Sequence, residues 1–137
     1  MLRLAESRDR LAVVSDQIGA PPSALDIADA VLTIARTLVE RPNDPALLGV
    51  FHMGAGGPDA SWADFAEAIF SGAAARGAKE PGVDRIPTSA YPTPAKRPEQ
   101  SRLDSSKLAA VHGVSLPDWR GSLETVLDRL LGSAHSI

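Results

Sequence analysis

Apolar and polar positions along the chain switch between two periods. "LAVV", Leu11 to Val14, is a short apolar run that leads into the turn-rich "DQIGAPPS", which predicts a strand and then a loop. Ile27, Val31, Ile34 and Leu38 recur at helical spacing, so a helix from Ala24 to about Val39 is expected to bury that stripe, with Ser23 as its N-cap. "LLGVFHM", Leu47 to Met53, is apolar almost throughout and predicts a second strand covered on both faces. After "GAGGPDA", Ser61 with Asp64 three residues on predicts a capped helix from Trp62 to about Arg76, with Trp62, Phe65, Ile69 and Ala73 on one face. "VDRIP" reads as a third strand. A short helix, Ser106 to Val111, should stop at Gly113, and a last helix after "SLPDW" should run to Leu131 with Trp119, Leu123, Val126 and Leu130 inward. Met1 to about Ser7 suits one or two helical turns, and residues 132–137 are expected to fray.

The sum is an α/β pattern of about four helices and three short strands in a single domain spanning residues 1–137. Three short strands make a poor sheet, and an apolar central strand needs neighbours. The expectation is therefore that the chain is the later part of something larger.

Composition removes several functions. A formal net charge of −3 disfavours general binding to nucleic acid or to membranes, and no apolar run reaches the roughly 20 residues that cross a bilayer. With no cysteine, the chain has no disulfides, thiolate zinc sites or cysteine nucleophiles, in keeping with a cytoplasmic protein. The charged opening "MLRLAESRDR" does not read as a signal peptide.

Candidate chemistry is sparse. "GAGG", Gly54 to Gly57, sits where a dinucleotide-binding glycine loop would sit, but the third glycine position is Asp59, whose carboxylate would repel phosphate. A plain strand-to-helix turn is the better reading. The one tyrosine, Tyr91, cannot pair with Lys96 across one helical turn, because prolines interrupt "YPTPAK". His52, His112 and His135 lack metal-ligand spacing, and Asp26, Asp29, Glu67, Glu124 and Asp128 suit outer helix faces. Two loops remain. In "RPEQSRLD" the guanidinium of Arg97 suits a diphosphate and Ser101 adds a neutral donor, although an ion pair of Arg97 with an acid such as Asp104 fits the sequence equally well. In "DQIGAPPS" the amide of Gln17 could read a base or sugar and Gly19 permits close approach, although a tight turn after a strand explains the same residues.

Taken together, "MLRLAESRDRLAVVSDQIGAPPSALDIADAV", "GVFHMGAGGPDASWADFAEAIF", "PTSAYPTPAKRPEQSRLDSSKL" and "LPDWRGSLETVL" resemble the later part of the dTDP-4-dehydrorhamnose reductases, which are extended short-chain dehydrogenase/reductases. The resemblance runs over nearly the whole chain, in order. Pro22 departs from it, standing where a threonine is expected. The resemblance implies the C-terminal, substrate-binding part of a Rossmann-like enzyme that reduces a 4-keto nucleotide sugar to dTDP-L-rhamnose with NADPH or NADH. It implies that Arg97 contacts the diphosphate of a dTDP-sugar, with Ser101, Gln17, Gly19 and Pro21 lining the same cleft. It carries over no catalytic, cofactor-binding or metal-binding residue. The chain is thus expected to bind no cofactor and to be inactive without the Rossmann half, unless it acts as a stand-alone nucleotide-sugar-binding module, or as a subunit completed by a partner or by self-association.

Overall fold

The computed structural model describes residues 1–91, 93–95 and 97–133, so Lys96, His135 and the tail beyond residue 133 lie outside the described residues. A one-turn helix, α1 (Leu2–Ala5), precedes strand β1 (Arg10–Val14) and the two-residue strand β2 (Ile18–Gly19). Helix α2 (Ala24–Glu40), the short β3 (Ala60–Ser61) and helix α3 (Trp62–Ala74) follow, then β4 (Gly82–Ile86), α4 (Ser106–His112) and α5 (Trp119–Leu131). β1 and β4 form a parallel pair, Arg10 opposite Gly82 through Val14 opposite Ile86, and β2 pairs antiparallel with β3. β1 has no second strand partner among the described residues.

α3 sits at the centre of the main core. Ala66, Ile69 and Phe70 are buried with Leu11 of β1 and with Trp119, Leu123 and Leu127 of α5. Trp119 meets Phe65 edge-on at 5.6 Å, and its indole N–H donates to the carbonyl of Pro58 at 2.8 Å. A second, smaller core joins α2 and α4 through Ala30, Leu108, Val114 and Leu116.

The expected helices form, with shifted buried faces. On α5 the inward residue of the last turns is Leu127, 1% exposed, while Leu130 is 63% exposed. Leu127 packs against α3 beside Gly72, whereas Leu130 lines the open groove next to Leu25 of α2. On α3 the small residues Ala63, Ala66 and Ala73 allow close packing, and Trp62 at the first turn is left half-exposed. On α2 Val31 faces solvent, and Ala30 is buried in its place.

The expected strand at 47–53 does not form. Pro45–Leu47 is a 3₁₀ turn, started by Asp44, whose carboxylate accepts from the Ala46 amide at 2.9 Å. Beyond it Val50 is 77% exposed. No neighbouring strand is available among the described residues, and side chains of α4 and its N-cap hold the segment instead. Lys107 donates to the Val50 carbonyl at 3.0 Å and lies 4.4 Å from the Phe51 ring centroid, while the Ser105 hydroxyl accepts from the Gly54 amide at 3.0 Å. The glycine turn after it packs against the approach to α5. Gly56 exchanges backbone bonds with Pro117 and Trp119, and a Cβ on Gly56 would fall 2.8 Å from the Leu116 carbonyl. Gly57 has φ +86°, which favours glycine.

The expected capping arrangement on α3 is a full capping box. The Ser61 hydroxyl accepts from the Asp64 amide at 3.1 Å, and the Asp64 carboxylate accepts from the Ser61 amide at 2.7 Å. The Ser61 hydroxyl, then Arg85, lower the Asp64 pKa from 3.8 to about 2. A value depressed in the folded state gives stability that is present above the unfolded pKa and lost as pH falls through the folded one. Asp64→Ala should therefore cost about 1 kcal/mol near neutral pH. In urea melts the gap between variant and parent should close as pH drops from the ordinary carboxylate range towards the lowered value of Asp64. A gap that persisted in acid would contradict this account.

Candidate functional site

The site is assembled around Ile18. Its amide donates to the Glu99 carbonyl at 2.8 Å, and its carbonyl accepts from the Ser101 amide at 2.9 Å. It thereby gains a parallel bridge to Gln100 on one side while it faces Ser61 of β3 on the other. The proline-rich loop is in this way stitched to the loop after β1. The Ser101 hydroxyl also donates to the Ile18 carbonyl at 3.1 Å, so Ser101 serves first to fix the loop. A Cβ at Gly19 would lie 2.6 Å from the Ser101 hydroxyl oxygen and would turn that hydroxyl away from the Ile18 carbonyl.

Gln17, Gly19, Pro21 and Ser101 line one cleft of about 250 Å³, together with Trp62 and Phe65. Pro22, the residue that departs from the family pattern, also lines it. The Gln17 amide nitrogen donates to the Thr88 hydroxyl at 3.0 Å. Thr88 is held in turn by Asp16, whose carboxylate accepts from the Thr88 hydroxyl at 2.6 Å and from its amide at 2.9 Å. These bonds, the hydroxyl's foremost, keep the Asp16 carboxyl below its usual pKa. A charged, fixed Asp16 thus sets the orientation of Gln17 through Thr88.

Arg97 lies outside that cleft, in an adjoining groove along β1 with Tyr91, Thr93, Val13 and Val14. Gln17 and Trp62 line both spaces and form the ridge between them. Arg97 makes no ion pair among the described residues. Asp104, the acid that the sequence offered it, instead accepts from the Ser106 amide at 2.9 Å at the start of α4. The neighbouring base Arg102 is engaged with Asp59, which ties the loop to the glycine turn.

Several acidic residues on the helices act structurally. Glu67 and Asp64 pair with Arg85, and Glu124 and Asp128 close over Arg76. Asp26 of α2 accepts from Ser122 of α5 at 2.5 Å. No cluster of groups suited to a metal ion occurs among the described residues, and none of their helices is long and apolar enough to cross a membrane.

The sequence pattern did not point to Trp62, Phe65 and Met53 as cleft residues, because helical periodicity assigned Trp62 and Phe65 to the core and strand reading assigned Met53 to a sheet. The one available signal was the position of Trp62 directly after an N-cap, where a side chain has only half a helix around it.

An α/β chain with a preformed cleft between a short strand pair and a stapled loop fits a substrate-binding domain, and the comparisons with known proteins specify which. Residues 1–131 match the RmlD substrate binding domain, and the chain belongs to that family. It is 44% identical over 131 residues to the dTDP-4-dehydrorhamnose reductase of Sinorhizobium fredii, a match that covers 96% of this chain and 44% of the relative. The crystal structure of a dTDP-4-dehydrorhamnose reductase from Clostridium acetobutylicum superposes with a TM-score of 0.78 at 34% identity, covering 93% of this chain and 41% of that one. The Bacillus anthracis reductase, solved in complex with NADP, gives a TM-score of 0.73 at 28% identity over 90% of this chain and 39% of its own. The chain thus spans less than half the length of these reductases and corresponds to their C-terminal part.

Because a methyl at Gly19 would displace the Ser101 hydroxyl from the Ile18 carbonyl, Gly19→Ala should loosen the loop at a cost of about 1 kcal/mol. Limited proteolysis should then cut the 91–103 segment faster than in the parent, with α-helical circular dichroism unchanged. An unchanged cleavage rate would show that the bridge to Ile18 does not hold the loop.

Proposed function

We propose that this chain provides the nucleotide-sugar-binding part of an NAD(P)H-dependent dTDP-4-dehydrorhamnose reductase, whose product is dTDP-L-rhamnose. The observation that carries the reading is the gathering of Gln17, Gly19, Pro21 and Ser101 around one cleft in a chain that matches the RmlD substrate binding domain over residues 1–131. Trp62 and Phe65 give that cleft aromatic walls suited to a planar base. Across the Gln17–Trp62 ridge, Arg97 offers a charge-assisted fork for a diphosphate. A ligand apolar at one end and anionic along its middle would lie over the ridge, with Gln17, held by Thr88, positioned to read its polar edge.

On this reading the chain binds and orients the keto-sugar. The nicotinamide, which supplies the hydride, belongs to the portion of the reductase that this sequence does not cover. The open edge of β1 and the groove beside it, lined by Met1, Leu4, Val13 and Tyr91, suit docking of that cofactor-binding portion, which would extend the parallel sheet. The same edge serves whether the portion is joined in one polypeptide or supplied by a separate subunit.

Titration of the chain with dTDP, followed by tryptophan fluorescence, should give saturable binding. Arg97→Ala should weaken it by about tenfold or more while leaving the weaker binding of thymidine unchanged. The chain alone should not oxidise NADPH in the presence of the keto-sugar. Failure to bind dTDP, equal affinity of the Arg97 variant, or turnover by the isolated chain would each overturn the corresponding part of the proposal.

A further inference from the structure

β1 and β4 carry their parallel register past the ends of the strands and build a relay that finishes at Gln17. Val14 stands opposite Ile86, and the Ser15 amide donates to the Ile86 carbonyl at 2.9 Å. Two residues further on, the same register brings Asp16 beside Thr88, the first residue of the 3₁₀ turn Thr88–Ala90. The Asp16 carboxylate accepts from the Thr88 hydroxyl at 2.6 Å and, through its two oxygens, from the Thr88 amide at 2.9 and 3.0 Å. The Thr88 hydroxyl oxygen in turn lies 3.0 Å from the side-chain nitrogen of Gln17.

The protons along this chain give it a direction. An ionised carboxylate only accepts, and a hydroxyl has one proton to donate. The bonds from Thr88, the hydroxyl's foremost, hold the Asp16 carboxyl below its usual pKa and so keep it ionised. Thr88 therefore donates to Asp16 and shows Gln17 a lone pair. Which end of an amide faces a partner is settled by such a network, and here the NH₂ end must turn to Thr88. Thr88 lines neither the cleft nor the groove, whereas Gln17 lines both. The carbonyl oxygen of Gln17 accepts no hydrogen bond among the described residues and is the end of the amide left for a ligand. The two hydroxyls of the cleft are turned the same way: Ser61 donates to Asp64 at 2.7 Å, and Ser101 donates to the Ile18 carbonyl.

We propose that Asp16 and Thr88 are positioning residues that set the polarity of base recognition: they lock Gln17 with its carbonyl towards the cleft, where it accepts from the imide N–H of a thymine ring. This rests on the nucleotide-sugar reading and adds which edge of the base the site requires. An untethered glutamine would turn its amide by half a rotation to suit either a donor or an acceptor. This one would first have to break its bond to Thr88. A pyrimidine with a bare ring nitrogen at that position, as in cytosine, sets two acceptors against each other and is rejected.

Binding is measured by tryptophan fluorescence near neutral pH with dTDP and with 5-methyl-dCDP, which keeps the ring and its methyl but has a bare nitrogen in place of the imide N–H. The purified chain should bind dTDP about tenfold tighter. Thr88→Val removes the hydroxyl and frees the amide, and Asp16→Asn supplies a donor that lets the relay run either way. Each should bring the two affinities within about threefold. Thr88→Ser keeps the hydroxyl and should keep the preference. General damage to the site would lower both affinities together and leave their ratio unchanged, so the ratio separates orientation from structure. Equal binding of the two nucleotides by the parent, or a preference that survives Thr88→Val, would overturn the relay and leave the nucleotide-sugar reading standing. Binding of neither nucleotide would overturn both.

Discussion

The cleft depends on the backbone of one residue. Ile18 has its amide and carbonyl bonded to Glu99 and Ser101 while it lies opposite Ser61. Three segments remote in sequence, around residues 18, 60 and 100, become a narrow ribbon because one extended residue offers an edge on each side. Ser61 then carries a second task as the N-cap of α3, so the ribbon and the central helix meet at the same residue. Trp62 follows directly and is thereby placed on the ridge between cleft and groove.

Local rules made part of this legible. Each helix carries its own start and stop signals: Ser23 and Ser61 open α2 and α3, and Gly113, in the left-handed region at φ 65°, ends α4. β1 and β4 were readable as short runs of β-branched and apolar residues. β2 and β3 were not, since a two-residue strand has no period and exists only through its distant partner. The run at 47–53 misled for a related reason. A largely apolar run of seven residues reads as a strand, but strand formation needs a neighbour, and here the residues following Leu47 are held by Lys107 and Ser105.

The site shows the same division. Gln17, Gly19, Pro21 and Ser101 could be nominated because glycine, amide and hydroxyl in turn-rich loops carry recognisable chemistry, and the fold brings those four together. Arg97 sits one groove away from them, an offset that no sequence spacing encodes. The choice between Arg97 as an anion ligand and as an internal ion pair was open in the sequence, and Asp104 was the acid at issue. In the structure that carboxylate is spent on the first turn of α4, and Asp59 takes Arg102 rather than Arg97. On α2, α3 and α5 one expected inward residue each, Val31, Trp62 and Leu130, is exposed instead. Periodicity identifies a face, but which of two adjacent apolar faces is covered depends on the neighbours.

The strap formed by Arg102 and Asp59 bears on how any ligand would be received. Together with the bridge at Ile18 it fastens the loop at two points before anything enters the cleft. A segment already immobilised forfeits little freedom upon complex formation, so the entropic penalty that mobile recognition loops incur has been met during folding. Complexes formed on such a rigid seat gain their longevity from slow departure rather than rapid capture, and their specificity from shape that does not adapt.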